Sequence, residues 1–135
     1  MRKYADVSQL QSTADKLRWY RYHKGLLQRD VADWADIDRS TYISYEESGR
    51  DHYPIDKMER IAELLDVAAE DLMDDYNRFL YQGQGKFLKE NRERSSLTQR
   101  IYADKLGVSL GTLKNWESNR VQMQKCTWVR LFQKA

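Results

Sequence analysis

Two stretches of the chain repeat one pattern at a constant offset of 71 residues. Residues 26–46 align without gaps on residues 97–117. The aligned positions that are identical are Leu26/Leu97, Gln28/Gln99, Arg29/Arg100, Ala32/Ala103, Asp33/Asp104, Thr41/Thr112 and Glu46/Glu117. Other pairs keep their chemical character, namely Ile37/Val108, Tyr42/Leu113 and Tyr45/Trp116. An internal repeat of this kind indicates that one structural unit is present twice, so we expect two similar domains.

Each copy of the repeat has two apolar periodic segments separated by a short turn. In the first copy a helix opens at residues 26–28, a turn follows at residues 36–38, and another helix covers residues 39–47. The second copy has helices over residues 98–106 and 110–118, with a turn at residues 107–109. Asp38 and Ser109 stand just before the later helices. We expect the side chains of both to accept hydrogen bonds from free N–H groups of the first helical turn.

Further helices are predicted on both sides of the repeated segment. A first helix is expected over residues 8–24, and one after Pro54 with Ile55, Met58 and Ile61 on its apolar face. Two glycines at residues 83 and 85 suggest a linker at residues 81–85, between an N-terminal domain of residues 1–80 and a C-terminal domain of residues 86–135. Continuing the offset of 71 aligns Cys126 with Ile55, which predicts a small buried residue at Cys126.

Charge is divided unevenly between the two copies. Residues 1–75 carry 11 Lys and Arg against 17 Asp and Glu, whereas residues 76–135 carry 12 against 4. Phosphate contacts need Lys and Arg, so the second half is expected to be the better binder of nucleic acid. The single cysteine and the absence of an apolar signal segment or membrane-spanning run favour a cytoplasmic protein.

The repeated residues resemble a known family. The segment Leu97-Thr98-Gln99, with Ala103, Leu106-Gly107-Val108-Ser109, Thr112-Leu113 and Asn115-Trp116-Glu117, is similar to the Cro and phage-repressor (XRE-like) helix-turn-helix family. The first copy matches through Leu26-Leu27-Gln28, Ala32, residues 37–42 and Glu46, and the similarity covers about residues 14–73 and 85–132. The resemblance implies an all-α fold of two tandem lambda-repressor-like helix-turn-helix domains, the second truncated at its C-terminal end.

The resemblance also implies which side chains meet DNA, with recognition helices at about residues 39–47 and 110–118. Arg39 is expected to pair with guanine and Asn115 with adenine, although Arg39 is equally explained as a surface partner of Asp36 and Asp38. Gln28 and Gln99 are expected at the DNA backbone. The residues expected at phosphates are Lys114, Asn119, Arg120 and Lys125. The predicted interface is Gln28, Arg39, Ser40, Ile43, Ser44, Gln99, Leu110, Gly111, Lys114, Asn115, Asn119 and Arg120.

Two functions remain open at this stage. The first is a sequence-specific, repressor-like transcription regulator that reads double-stranded DNA with both recognition helices. In the alternative, the basic second unit binds DNA while the acidic first unit binds a protein partner or forms a homodimer, as in an antitoxin or a repressor antagonist. The sequence contains no recognisable catalytic set, phosphate loop or metal-ligand spacing, so we expect no enzyme activity, no cofactor, no metal and no membrane association.

Overall fold

The computed structural model describes residues 10–133, and all regular structure within this range is helical. This confirms the predicted all-α class. The α-helices are α1 (Thr13–His23), α2 (Gln28–Ala35), α3 (Arg39–Glu47), α4 (Ile55–Leu65), α5 (Asp75–Gln82), α6 (Gln84–Arg94), α7 (Gln99–Leu106), α8 (Leu110–Glu117) and α9 (Lys125–Phe132), with a short 3-10 helix at Ala69–Leu72. Within the described range no helix is both long and apolar enough to cross a membrane.

The chain forms two compact units, the first ending at Arg78 and the second beginning at Phe79. Residues 81–85, where a linker is predicted, comprise the end of α5, Gly83 and the start of α6. Gln84 and Gly85 belong to α6 and are buried, because the Gln84 side chain donates to the Val121 carbonyl oxygen (2.7 Å) and accepts from the Met123 amide (2.9 Å). Gly85 is therefore closely packed, whereas Gly83 has a positive φ between two helices.

The core of the first unit lies between α1, α2, α3 and α4. Helix α3 packs against α1 and α2, and α4 packs against α2. The buried apolar side chains of these helices include Leu17, Val31, Ala32, Ala35, Tyr42, Tyr45, Met58, Ile61 and Leu65. Ile55 is 38% exposed, so its predicted place on the apolar face of α4 is wrong. As the first residue of α4, it lies where the helix has only begun to cover the core.

The second unit repeats the helices of the first at the offset found in the sequence. Helices α6 and α7 begin and end 71 residues after α1 and α2, and α8 begins 71 residues after α3. Helix α8 packs against α6 and α7, as α3 packs against α1 and α2. The buried apolar residues of this unit include Leu88, Tyr102, Ala103, Leu113, Trp116, Met123 and Trp128. The sequence repeat is thus a repeat of tertiary structure.

The offset falls to 70 after α8, which is one residue shorter than α3. Gly49 and Asn119 both have left-handed backbones just after these helices, with φ of 74° and 62°. Helix α9 consequently begins at Lys125, which aligns with Ile55, and Cys126 aligns with the exposed Asp56. Cys126 is exposed, so the prediction that it is a small buried residue is wrong.

Candidate nucleic-acid interface

In the first unit, α2 and α3 are joined by a tight turn with a left-handed residue. Asp36 has φ 59° and ψ 50°, and its backbone amide bonds back to α2. The amide of Ile37 donates to the Ala32 carbonyl oxygen at 3.1 Å. Ala32 is fully buried where the two helices approach, because a larger side chain there would separate them. The turn and the small residue together fix the direction in which α3 leaves α2.

The second unit builds the same turn with residues better suited to it. Gly107 takes the left-handed conformation at φ 74°, which glycine adopts without a Cβ clash. The amide of Val108 donates to the Ala103 carbonyl oxygen at 3.0 Å, as in the first unit. Ser109 caps α8, since its hydroxyl oxygen accepts from the Thr112 amide at 3.1 Å. Its predicted capping role is confirmed.

Asp38 stands at the same position before α3, but its carboxylate accepts no hydrogen bond from the helix. The predicted side-chain cap at Asp38 is therefore wrong, although Asp38 has the extended backbone of an N-cap residue (φ −64°, ψ 147°). Asp38 thus has the backbone conformation of an N-cap residue, and its carboxylate is exposed to solvent.

A buried polar cluster joins the three helices of the first unit. Glu46, near the end of α3, accepts hydrogen bonds from Arg21 on α1, from Gln28 at the start of α2 and from the hydroxyl of Tyr42. The Arg21 Nε to Glu46 Oε2 distance is 2.7 Å, and the Gln28 Nε2 to Glu46 Oε1 distance is 3.1 Å. The hydrogen bond to Glu46 raises the pKa of Arg21, and burial raises the pKa of Tyr42 well above its usual value. Arg21 also donates to the Leu26 carbonyl oxygen (2.9 Å).

The same cluster is present in the second unit. Arg92 Nε lies 2.9 Å from Glu117 Oε2, and Gln99 Nε2 donates to Glu117 Oε1 at 3.0 Å. Glu46 and Glu117 thus form polar contacts within their own units. The sequence reading missed Arg21 and Arg92, although extending the offset of 71 backwards would have aligned them.

The residues predicted to face the DNA groove lie on one outer side of α3 and of α8. On α3 these are Arg39, Ser40, Ile43 and Ser44, here called the α3 face. On α8 they are Leu110, Gly111, Lys114 and Asn115, here called the α8 face. Arg39, Ser40, Ile43, Gly111 and Lys114 are exposed, and the other three are half-buried. Within residues 10–133 Arg39 forms no ion pair with Asp36 or Asp38, so a surface pair does not account for its charge.

Some of the predicted contact residues already have partners within the protein. The Ser44 hydroxyl donates to the Thr41 carbonyl oxygen at 2.6 Å. The Asn119 side-chain oxygen accepts from the Gly85 amide at 3.1 Å, which caps α6. Gln28 and Gln99 each use Nε2 for a glutamate, but a primary amide nitrogen carries a second hydrogen and its carbonyl oxygen is a further acceptor. A DNA contact by these two glutamines stays a prediction.

Comparison with known proteins identifies the motif in the first unit. Residues 14–78 match the family model described as "helix-turn-helix domain". Helices α2 and α3 with their turn form this helix-turn-helix. A solved structure titled "SinR protein/SinI protein complex" aligns over 79% of this chain and 98% of that chain, with 19% sequence identity and a TM-score of 0.44. No curated protein matches the chain in sequence.

The surface around α2 and α3 differs in charge from the surface around α7 and α8. Around the motif of the first unit lie the exposed side chains of Asp30, Asp33, Asp36 and Asp38. At the offset of 71 their counterparts are Ile101, Asp104, Gly107 and Ser109, so one of the four acids remains in the second unit. Ile43 on the α3 face is replaced by Lys114 on the α8 face. On the same faces Arg39 is replaced by Leu110, so the number of positive charges is equal and the acids decide the difference. A polyanion is therefore repelled less by the surface around α8.

Proposed function

We propose that this chain is a sequence-specific transcription regulator that binds double-stranded DNA and inserts α3 and α8 into the major groove. The observation that supports the proposal most directly is the repeated scaffold. In each unit a turn and a buried Arg–Glu–Gln cluster hold the recognition helix against the helix before it. The helix keeps its outer face exposed, which is the arrangement that allows side chains to reach base edges.

The chemistry of the α3 and α8 faces suits different bases. Arg39 offers a planar pair of donors, which matches the O6 and N7 acceptors of guanine. Asn115 offers a donor and an acceptor, which match N7 and N6 of adenine. Lys114 and Arg120 supply positive charge beside Asn115 for the phosphate backbone. One chain with two unlike reading helices is expected to select a site whose two halves differ.

The test is DNA selection from a random-sequence pool by the intact chain, followed by affinity measurements on the selected duplex across a salt series. Arg39→Ala and Asn115→Ala should each lower the preference for that duplex by about 1–3 kcal/mol. Lys114→Ala should weaken binding to selected and unselected duplexes by similar factors and reduce the salt dependence of the affinity. Asn91→Ala and Lys89→Ala, on α6, are the matched controls and should leave both properties unchanged. Failure of the intact chain to bind any duplex in a salt-dependent way would refute the proposal.

The second candidate gives the two units different tasks. The basic second unit binds DNA, and the acidic first unit contacts protein, either another copy of this chain or a different partner. The replacement of three exposed acids by Ile101, Gly107 and Ser109 supports this division. If the units divide the tasks in this way, Asn115→Ala should abolish the preference for the selected DNA sequence, and Arg39→Ala should have no effect on it. Comparable losses in both variants would reject the divided arrangement in favour of a tandem reader.

A further inference from the structure

Glycine placement in this chain has a structural reason at five of its six positions, all of which lie in the described range. Four have positive φ, a conformation that L side chains rarely adopt; these are Gly25, Gly49, Gly83 and Gly107. Gly85 has ordinary helical geometry, but a Cβ there would collide with the carbonyl oxygen of Glu117 on α8. A larger residue at Gly85 would therefore push α6 away from α8.

Gly111 has neither reason. It lies in the first turn of α8 without a positive φ, and a Cβ there would meet only the Ser109 hydroxyl oxygen, at an ordinary contact distance of 4.0 Å. The equivalent residue of α3 is Ser40, which carries a side chain in the same helical turn. Glycine also lowers helix stability relative to alanine. The fold thus gains nothing from the missing Cβ at residue 111.

The surroundings of Gly111 indicate what the missing Cβ leaves room for. Gly111 is exposed on the α8 face, next to the half-buried Leu110. An apolar side chain at the start of a recognition helix cannot form hydrogen bonds with a base edge. The one apolar group that the major groove presents is the 5-methyl group of thymine. Leu110 is apolar, and the exposed Gly111 beside it has no side chain to fill the space next to it.

We infer that the first turn of α8 packs against the 5-methyl group of a thymine, with Leu110 in contact with the methyl and Gly111 providing the space for it. This rests on the proposed function and specifies it: the half-site of the second unit contains a thymine that is read through its methyl group. Ser40 and Arg39 give the first turn of α3 no such recess.

The test uses the duplex that the intact chain selects from a random pool, with thymines replaced one at a time by uracil, which lacks the methyl group. One uracil should lower the affinity of the unaltered protein by about fourfold, the effect of losing one buried methyl group. Gly111→Ala should lower the affinity for the thymine duplex at least about fivefold, because the added methyl overfills the contact. On the variant, the same uracil should restore binding instead of weakening it. Ser40→Ala is the matched control on α3 and should show no such reversal.

Thermal unfolding of the same variants distinguishes a role of Gly111 in DNA contact from a role in folding. Gly111→Ala should unfold at an equal or higher temperature than the unaltered protein. A lower unfolding temperature would reveal a structural need for Gly111 and overturn the inference. Normal binding by Gly111→Ala, or no uracil effect at any position, would also overturn it while leaving the proposed function intact. If no duplex is selected at all, both the proposed function and this inference are refuted.

Discussion

Removing the carboxylate of Glu46 should strongly destabilise the first unit. Its side chain is fully inaccessible to solvent, and it accepts hydrogen bonds from Arg21, Gln28 and Tyr42. Glu46→Ala would leave the guanidinium of Arg21, whose side chain is 11% exposed, without a carboxylate partner, although its hydrogen bond to the Leu26 carbonyl oxygen would remain. Loss of one member of a buried ion pair costs about 3–5 kcal/mol, and we expect Glu46→Ala to lower the free energy of unfolding by that amount.

Two comparison variants distinguish the stability lost by leaving a buried charge unpaired from the stability lost by removing a contact. The ion pair between Arg18 and Asp15 is 46% and 32% exposed, so Asp15→Ala should cost less than about 1 kcal/mol. The double variant Arg21→Met with Glu46→Leu removes both charges and should recover most of the loss caused by Glu46→Ala, since no uncompensated charge stays buried.

Hydrogen exchange in a urea series is the suitable assay, because amides of α3 and α8 report the two units separately. Glu46→Ala should speed exchange in the first unit and leave α8 unchanged, and Glu117→Ala should do the reverse. The effect of Glu117→Ala should be smaller, because the side chain of Arg92 is more exposed, at 17%, and the position of Tyr42 is occupied by Leu113. A loss below about 1 kcal/mol for Glu46→Ala, or a double variant less stable than the single one, would refute this reasoning.

Three further predictions concern the caps, the packing of α6 and the effect of high pH. Ser109→Ala should destabilise its unit by about 1 kcal/mol in urea unfolding, whereas Asp38→Ala should not, because Asp38 caps nothing through its side chain. Gly85→Ala should cost more than about 1 kcal/mol in the same assay, since its Cβ would collide with α8. Burial raises the pKa of Tyr53 from 10.0 to about 12, so the folded state favours the neutral phenol. The resulting stability is complete below pH 10 and is lost between pH 10 and 12, by about 3 kcal/mol, and Tyr53→Phe should remove that part of the pH dependence.

The helix-turn-helix elements were predictable from sequence because local rules decide them. The spacing of apolar residues placed α2, α3, α7 and α8 within one or two residues of their observed limits. The turn at Gly107 follows from a glycine at the end of an apolar periodic segment, and Asp36 adopts the same conformation in the other copy. Small side chains at Ala32 and Ala103 then let the helices cross, so pattern and packing point to the same structure.

The errors arose where tertiary contacts decide the outcome. No local rule shows that α8 is one residue shorter than α3, so the offset of 71 does not hold beyond α8. That offset aligned Cys126 with Ile55, which is itself exposed, and Cys126 is exposed as well. Two glycines near residue 84 resembled a flexible linker, but Gly85 is required by the approach of α8. The partners of Glu46 were equally hidden, because Arg21 is separated from it by 25 residues and joins it only when α1 packs on α3.

The acids of the first unit are not explained by folding alone. Asp36 occupies a left-handed turn position, where glycine is less strained and where the second unit has Gly107. Asp38 occupies an N-cap position without forming the side-chain cap that Ser109 forms in the second unit. DNA does not explain these acids either, since they repel phosphate beside a recognition helix. Both residues thus forgo a local benefit while adding negative charge. This is the feature that the second candidate function explains, and in a tandem reader it should make α3 the weaker of the two DNA-binding helices.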